Sequence, residues 1–376
     1  MKGQQKNGHN YLPANKPEVL TIQLRVCVLA PHVESTDPNI QYYYDFSQSI
    51  AEYSKVFKDL DIEWSWQPVT INNYKEVIES IELQSQLSDK QTVIFNICDG
   101  DEVNGAPGVS VIKYLKEKGL AFTGSDEHFY DITTSKILMK EAFDKANVPT
   151  PAWKPIYEKK QYLNGIFKKL GNPIIVKPSV SGGSMGVGIK NVVENKEELH
   201  EQIDRMFDGY RGWHLSTGGI LAEEFISGPE FTVLIVGDSS KPEKCIVYPP
   251  VERVFHPSLP EKEQFLSFDR LWEIYEDETP MPNDGNFYEY TQPSDEIKEE
   301  VMKISLDAYC AVGGKGYTRI DLRMDKNTGK IYVLEVNAQC GLSEDEDYTS
   351  IGAILRFANK SFSQLVMEII NDALDK

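Results

Sequence analysis

The chain has 376 residues, 40% hydrophobic and 26% charged, with 39 Lys and Arg against 58 Asp and Glu for a net charge of −19. That length accommodates two or three domains and a sizeable core, while the acidic excess disfavours nucleic acid and anionic membranes, both of which need a basic face. Five cysteines without CxxC spacing argue against a disulfide framework or a zinc site, and no apolar run approaches the roughly 20 residues that span a bilayer, so the expectation is a soluble cytoplasmic protein.

Met1 to Pro17 is polar, lacks a signal core and reads as a flexible tail. Residues 18–125 then alternate strand and helix. Ile22 to Ala30, Ile62 to Val69 and Thr92 to Cys98 read as strands, with Ala121 to Thr123 as a short fourth. Tyr42 to Leu60, Tyr74 to Leu87 and Pro107 to Lys118 read as helices, the last opened by proline in its first turn. The alternation implies a parallel sheet covered on both faces, with ligands beyond the carboxyl ends of its strands. That points to Pro31 to Asp37 and Asp99 to Gly105.

Residues 126–226 begin with a helix from Thr133 to Ala146 that stops before Pro149 and Pro151. A short strand, Ile174 to Lys177, leads into the glycine-rich stretch Ser181 to Gly188. A helix starts at Asn195, with Glu198 three residues on as in a capping box, and Gly219 to Phe225 is a strand. Residues 227–376 hold strands at Phe231 to Val236 and Lys244 to Val251, and helices at Ser294 to Val312 and Phe362 to Leu374. Between Phe255 and Tyr290 lies a long stretch rich in Pro, Asp and Glu, a length that in a compact domain marks a functional segment or a cover. A hairpin pairs Gly316 to Met324 with Lys330 to Asn337 around the turn Asp325 to Gly329.

Within that hairpin Arg319 shares parity with Asp321, and Glu335 with Asn337, so each pair projects from one face of its strand. Asp, Glu and Asn offer hard oxygen ligands suited to Mg²⁺ held jointly with nucleotide phosphates, and an arginine beside that metal can neutralise transferring phosphoryl oxygens. A polar solvated hairpin face is the alternative. The glycine-rich stretch lacks GxxxxGK[ST] and does not follow the first strand, so it is neither a Walker loop nor a dinucleotide fingerprint. It can still expose backbone N–H groups to phosphate, or be a plain surface turn. Lys177 ends the strand before it and Lys136 lies in the preceding helix; together with the loop they can converge on a polyanion. The run Glu223-Glu224-Phe225-Ile226 ends a strand whose backbone can pair with adenine, and Glu230 after the Gly-Pro turn can hold ribose hydroxyls; solvated acids are the alternative here too.

Taken in order, these segments resemble the ATP-grasp superfamily, and within it D-alanine–D-alanine ligases and related carboxylate–amine ligases. The resemblance runs through Ser135-Lys136, Ile175-Val176-Lys177-Pro178, Ser227-Gly228-Pro229-Glu230, Gly316-Tyr317-Thr318-Arg319-Ile320-Asp321 and Leu334-Glu335-Val336-Asn337 to Phe362-Ser363-Gln364-Leu365. It implies an ATP-grasp fold: an α/β class, α+β in the ATP-binding part. A parallel α/β domain (18–125) would precede a lid domain (126–226) and a metal-bearing domain (227–376) that sandwich ATP. By position, Lys136, Lys177 and the loop glycines Gly182 and Gly183 would hold phosphates, with Ser184 facing the transferred phosphate. Glu223 would sit beside adenine, Glu224 to Ile226 (with Phe225) would form the hinge that reads it, and Glu230 would take the ribose. Asp321, Glu335 and Asn337 would bind Mg²⁺ or Mn²⁺, two ions in all. Arg319 would lie over an acyl phosphate, with the Gly341 N–H at the tetrahedral centre. The implied reaction phosphorylates a carboxylate with ATP and then joins it to an amine, under a lid that excludes water. A homodimer is expected by analogy.

The amino-acid end departs from that pattern. Only Glu34 remains where the family carries its amine-binding glutamate, and Asp99 replaces a histidine. Leu271 stands at the lysine that pairs a substrate carboxylate, with Arg270 beside it as a substitute, and Ser343 is followed by Glu344, Asp345, Glu346 and Asp347. Acids there would repel a carboxylate and welcome a cation. The expectation is therefore a ligase acting on amino-acid-type substrates other than two D-alanines. An authentic D-alanine–D-alanine ligase and a non-catalytic ATP-binding module are the alternatives.

Overall fold

The computed structural model describes residues 23–34, 44–161 and 163–375. The expected tail, Ser35 to Asp37 and the expected helix start at Tyr42 lie outside the described residues. Three sheets organise the rest.

The first is parallel: β1 (Leu24–Pro31), β2 (Glu63–Val69) and β3 (Gln91–Asn96), in the order β2-β1-β3. The continuous apolar run of β1 is what burial on both faces requires. Val26 and Val28 meet Tyr53, Val56 and Phe57 of α1 (Ser47–Asp59). On the other face Cys27 and Leu29 meet Ile78 and Ile81 of α2 (Tyr74–Gln86) and Val111 and Leu115 of α3 (Val109–Glu117). The expected strand at Ala121 to Thr123 is reduced to a parallel bridge between Ile94 and Phe122.

The helix expected from Thr133 to Ala146 forms from Lys136 on as α5 (Lys136–Ala146), while Thr133 and Thr134 end a separate, unexpected helix, α4 (Glu127–Thr134). Ser135 between them is extended (φ −102°, ψ 111°), accepts the Leu138 N–H as an N-cap and bridges to Val180. The break places Lys136 at the first turn of a helix, beside the exit of the next strand. There its N–H donates to Ser179 O at 2.8 Å.

The second sheet is antiparallel: β4 (Trp153–Ile156), β5 (Ile174–Pro178), β6 (Val192–Val193) and β7 (Ile220–Glu224), in the order β4-β7-β5-β6. With α6 (Ile166–Leu170) and α7 (Lys196–Asp208) it closes a core of its own around Val176, Leu199, Ile203 and Ile220. The cap read at Asn195 forms, its side chain accepting the Glu198 N–H at 2.9 Å.

The third sheet has six strands: β8 (Glu230–Asp238), β9 (Ile246–Val247), β10 (Val251–Phe255), β11 (Tyr288–Thr291), β12 (Lys315–Met324) and β13 (Ile331–Ala338). They run β11-β10-β8-β12-β13, with β9 on β8. The single strand expected from Lys244 to Val251 is interrupted because Pro249 and Pro250 have no N–H to give a ladder. Val233 and Ile235 of β8 face α4, α5 and α9 (Asp295–Ala311), so the helices up to Ala146 pack on this sheet. Leu234 and Val236 face α10 (Ser350–Ala358) and α11 (Phe362–Leu374), in a core shared with β1, β3 and α1. The stretch from His256 to Phe287, which includes the short helix α8 (Phe268–Leu271), leaves this sheet to lie against the glycine-rich loop. Among the described residues no helix is long and apolar enough to cross a membrane.

Candidate active site

A cleft of about 560 Å³ is lined by β5, β7 and the glycine-rich loop on one side and by β8, β12 and β13 on the other. The hairpin register sets Arg319 opposite Asn337 and Asp321 opposite Glu335, with an irregularity just after Asp321. All four side chains therefore share the face that floors the cleft. Asp321 Oδ1 accepts the Thr232 hydroxyl at 2.9 Å, and its Oδ2 accepts Arg319 Nε at 3.1 Å and Asn337 Nδ2 at 3.2 Å. Asn337 Nδ2 also reaches Glu335 Oε1 at 3.4 Å. Two carboxylates and an amide oxygen are hard donors, and the set fits Mg²⁺. Among the described residues no three His, Cys, Asp or Glu side chains cluster tightly enough to hold a metal by themselves, so the amide has to complete the set.

Opposite this floor stand three lysines. Lys136 Nζ lies 3.8 Å from Glu335 Oε2 and donates to Ser181 O at 3.1 Å. Lys177 and Lys140 both pair with Glu223, at 3.0 and 2.5 Å. Burial pushes the Glu223 carboxyl up, but Lys140 and Lys177 outweigh it and hold the group below the usual carboxylate range. Burial also lowers the Lys136 and Lys140 ammonium groups. Glu223 thus reaches the cleft with its charge already paired, and Lys177 is turned onto it.

The loop between β5 and β6 carries Gly182, Gly183 and Ser184 into the cleft. A Cβ at Gly182 would meet nothing within 4 Å, whereas Gly186 (φ +75°) would drive one into Leu215 at 2.8 Å. The loop is pinned by the 256–287 stretch. Ser184 Oγ donates to Leu266 O at 2.8 Å, Trp272 Nε1 to Gly183 O at 2.9 Å, and the Phe268 N–H to Val187 O at 2.8 Å. Arg211 then ties Asp269 and Glu276 at 2.8 and 2.9 Å, while Lys190 and Arg205 tie Asp277.

Glu224, Phe225 and Ile226 line the cleft beyond Glu223. Glu230 lines it too, but its carboxylate is not free. Arg253 donates to one oxygen and Arg323 Nη2 to the other, the latter at 2.6 Å. Burial raises the Glu230 carboxyl and the two arginines overcome that, leaving it lowered. Arg323 also donates to the hinge carbonyl of Ile226 at 3.1 Å.

The amino-acid end corrects several expectations. Asp99 and Gly341 line the cleft, and a Cβ at Gly341 would meet nothing. Asp99 is solvent-exposed by area yet crowded by protein; desolvation, with Asp101 adding like charge, pushes its carboxyl up to about 6. Glu34 is exposed and is not among the cleft's lining. Arg270 is buried behind the wall, donating to Glu263 at 2.7 Å and lying 3.4 Å from Glu278, so the cleft meets Leu271 and Trp272 instead. Glu344 pairs with Lys55 at 2.7 Å, and Glu346 and Asp347 face Arg356 at 4.0 and 3.6 Å. Asp345 receives the N–H groups of Asp347 and Tyr348. None of these four acids lines the cleft, so the expected acidic substrate wall is absent there.

Sequence reading missed Lys140, Arg253, Arg323 and Gln339. Lys140 follows Lys136 by four residues on one helix face, and Arg323 shares the parity of Arg319 and Asp321, so both carried a signal. Arg253 carried none. Gln339 (φ +51°) spans three segments with its amide, donating to Asn96 O and Cys98 O and accepting from Ser125.

The fold and this floor define an ATP-grasp ligase, an enzyme that forms carbon–nitrogen bonds. The family described as D-ala D-ala ligase C-terminus matches residues 142–371, and the chain belongs to it. A D-alanine–D-alanine ligase of Marinomonas sp. (strain MWYL1) is 28% identical over 265 residues, 70% of this chain and 72% of the relative. The D-alanine–D-alanine ligase of Bacillus anthracis complexed with ATP superposes with a TM-score of 0.65 at 21% identity, covering 93% of this chain and 97% of that one. VanG D-Ala:D-Ser ligase from Enterococcus faecalis gives 0.66 at 16%, covering 93% and 99%. The chain is therefore an ATP-using carboxylate–amine ligase of the D-alanine–D-alanine ligase type.

Proposed function

We propose that the chain joins the carboxylate of one D-alanine to the amine of a second, through an acyl phosphate made with ATP. The observation that carries this reading is the convergence of Arg319, Asp321, Glu335 and Asn337 on the cleft floor with Lys136, Lys177 and the glycine-rich loop above them. Asp321, Glu335 and Asn337 would hold Mg²⁺, which when bound supplies charge neutralisation at the transferring phosphoryl group. Lys136 and the open N–H groups about Gly182 and Gly183 would receive phosphate oxygens, with Ser184 beside them. Lys177, presented by Glu223, would face the nucleotide near the base. The Glu224 to Ile226 backbone would read adenine. Glu230, held rigid by Arg253 and Arg323, would meet the ribose through lone pairs that the arginines leave. Arg319 would neutralise the acyl phosphate, and the Gly341 N–H would receive the developing oxyanion. The 256–287 stretch and the glycine-rich loop would keep water from the acyl phosphate.

One observation favours a second reading, an amine substrate without a free carboxylate. The cleft presents Leu271 and Trp272 where a cation would pair a carboxylate, and Arg270 is turned away. The test is ADP release with D-alanine alone, against D-alanine paired with D-serine, esters and simple amines, with the product identified by mass. D-alanine-dependent ADP and the dipeptide support the first reading. ADP only in the presence of a carboxyl-blocked amine would replace it with the second.

A further inference from the structure

Asp99 stands out among the charged side chains that line the cleft. Each of the others, as described above, is engaged by an ion pair or accepts a backbone N–H, as Glu224 does from Ala152. Among the described residues Asp99 has only its own backbone N–H. Its position is fixed from both sides. Cys98 O accepts the Gln339 amide at 3.2 Å, Gly100 O accepts the Tyr130 hydroxyl at 2.8 Å, and the Gly100 N–H donates to Pro107 O at 3.1 Å. A Cβ on Gly100 would lie 2.2 Å from Ala106 O, so this turn does not rearrange cheaply. The result is a turn held in place beyond the end of a parallel strand, whose Asp99 lines the cleft with no counter-charge among the described residues.

Its relation to the reacting end is set by Gln339. Gln339, next to Cys340 in the chain, donates its amide to Cys98 O at 3.2 Å, so the turn that carries Asp99 is tied to the Cys340-Gly341 segment, and Asp99, Arg319, Cys340 and Gly341 line the same cleft. A cation and an anion that share the cleft with one open glycine are complementary to a zwitterion. The carboxylate of an α-amino acid would turn toward Arg319, and its ammonium toward Asp99.

We infer that Asp99 is the ammonium anchor for the amino acid whose carboxylate is phosphorylated, selecting a zwitterionic α-amino acid over a plain carboxylic acid. The inference rests on the proposed ligation. Glu34 lies off the cleft, so among the described residues Asp99 is the anion available for this contact. An anchored ammonium also fixes which carboxylate oxygen meets the phosphoryl donor, so the contact orients as well as binds.

The experiment compares wild type, Asp99→Asn and Asp99→Glu, each with D-alanine and with propionate, which lacks only the ammonium. ADP release gives kcat/KM for both acids and KM for ATP; calorimetry with a non-hydrolysable ATP analogue gives binding of both acids without turnover. For Asp99→Asn the D-alanine value should fall about 10- to 100-fold, the range for losing a hydrogen bond to a charged group. Propionate and the KM for ATP should stay within about twofold, and Asp99→Glu should recover part of the loss. An unchanged ratio of D-alanine to propionate would overturn the inference, and so would a parallel loss of ATP affinity. If wild type neither turns over nor binds D-alanine, the D-alanine reading fails. The anchor is then judged on whichever aminated substrate supports ADP release against its own deaminated analogue. Loss of that preference in Asp99→Asn upholds the anchor, and its persistence, or the lack of any such preference in wild type, overturns it.

Discussion

Glu335 sits opposite Asp321 with one oxygen toward Asn337 and the other toward Lys136. Glu335→Gln keeps its shape and removes one anion from the proposed metal set. Turnover should fall below detection at saturating Mg²⁺ while the unfolding midpoint stays put; near-wild-type turnover would remove this residue from the metal set. The two lysines on Glu223 should separate by readout. Lys140 is 1% exposed and holds Glu223 from inside, so Lys140→Met should cost about 3 kcal/mol, the low end for orphaning a buried charge because Lys177 remains. Denaturant unfolding measures it. Lys177→Ala should instead act mainly on the KM for ATP, at a smaller stability cost. The raised carboxyl of Asp99 predicts a pH effect. It is anionic above about 6 and neutral below, so the KM for the amino acid should rise as pH falls through that value and flatten in Asp99→Asn. Tyr130, Cys98 and Cys340 around it are all raised and stay protonated there, which leaves Asp101 as the neighbouring charge that modifies the titration.

The 256–287 stretch behaves as an element although little of it is helix or strand. Its acids are tied to the second sheet by Arg211, Arg205 and Lys190, and its backbone is tied to the glycine-rich loop. Loosening it should admit water to the acyl phosphate. Arg211→Ala, distant from the metal floor, is expected to raise the ratio of ADP released to amide formed; an unchanged ratio would mean that this stretch does not guard the site. Elements of this kind explain what the sequence could and could not disclose. The hairpin and the Asn195 cap were legible because period, turn and capping residues agree locally. The break at Ser135 was not, because it is dictated by the distant Val180 strand edge. Glu344 and Arg270 misled through their pairing. A charged residue's direction depends on what it pairs with: Glu344 turns to Lys55 on the distant α1, and Arg270 to Glu263 and Glu278 in an irregular stretch with no period to reveal the pairing. Helix α10 went unseen because its 9 residues are fewer than the stretch of roughly 11–18 over which a helical period can be read.

Across the whole molecule, the net charge of −19 coexists with a cleft where lysines and arginines converge. The acidic excess lies elsewhere on the chain, and in the proposed function a nucleotide would be received through local cations within a Debye length of roughly 8 Å. Cores matter more than charge for how the parts cohere. The second sheet has its own, but the first sheet shares one with β8, β12, α10 and α11. Leu365→Ala should therefore cost about 2–5 kcal/mol and speed amide exchange in β1 and β8 together, whereas Ile203→Ala should loosen the second sheet alone. Exchange that rises in β8 but not in β1 would show the two sheets to be independent. The same shared core bears on synthesis. When β1 leaves the ribosome, the α11 residues that pack on its layer have yet to be translated, and only α1 is at hand to shield Val26 and Val28. The second sheet, complete within Trp153 to Glu224, can settle first. Vectorial folding would then run from the middle of the chain outward, with its opening segment a client for chaperones until the closing helix arrives.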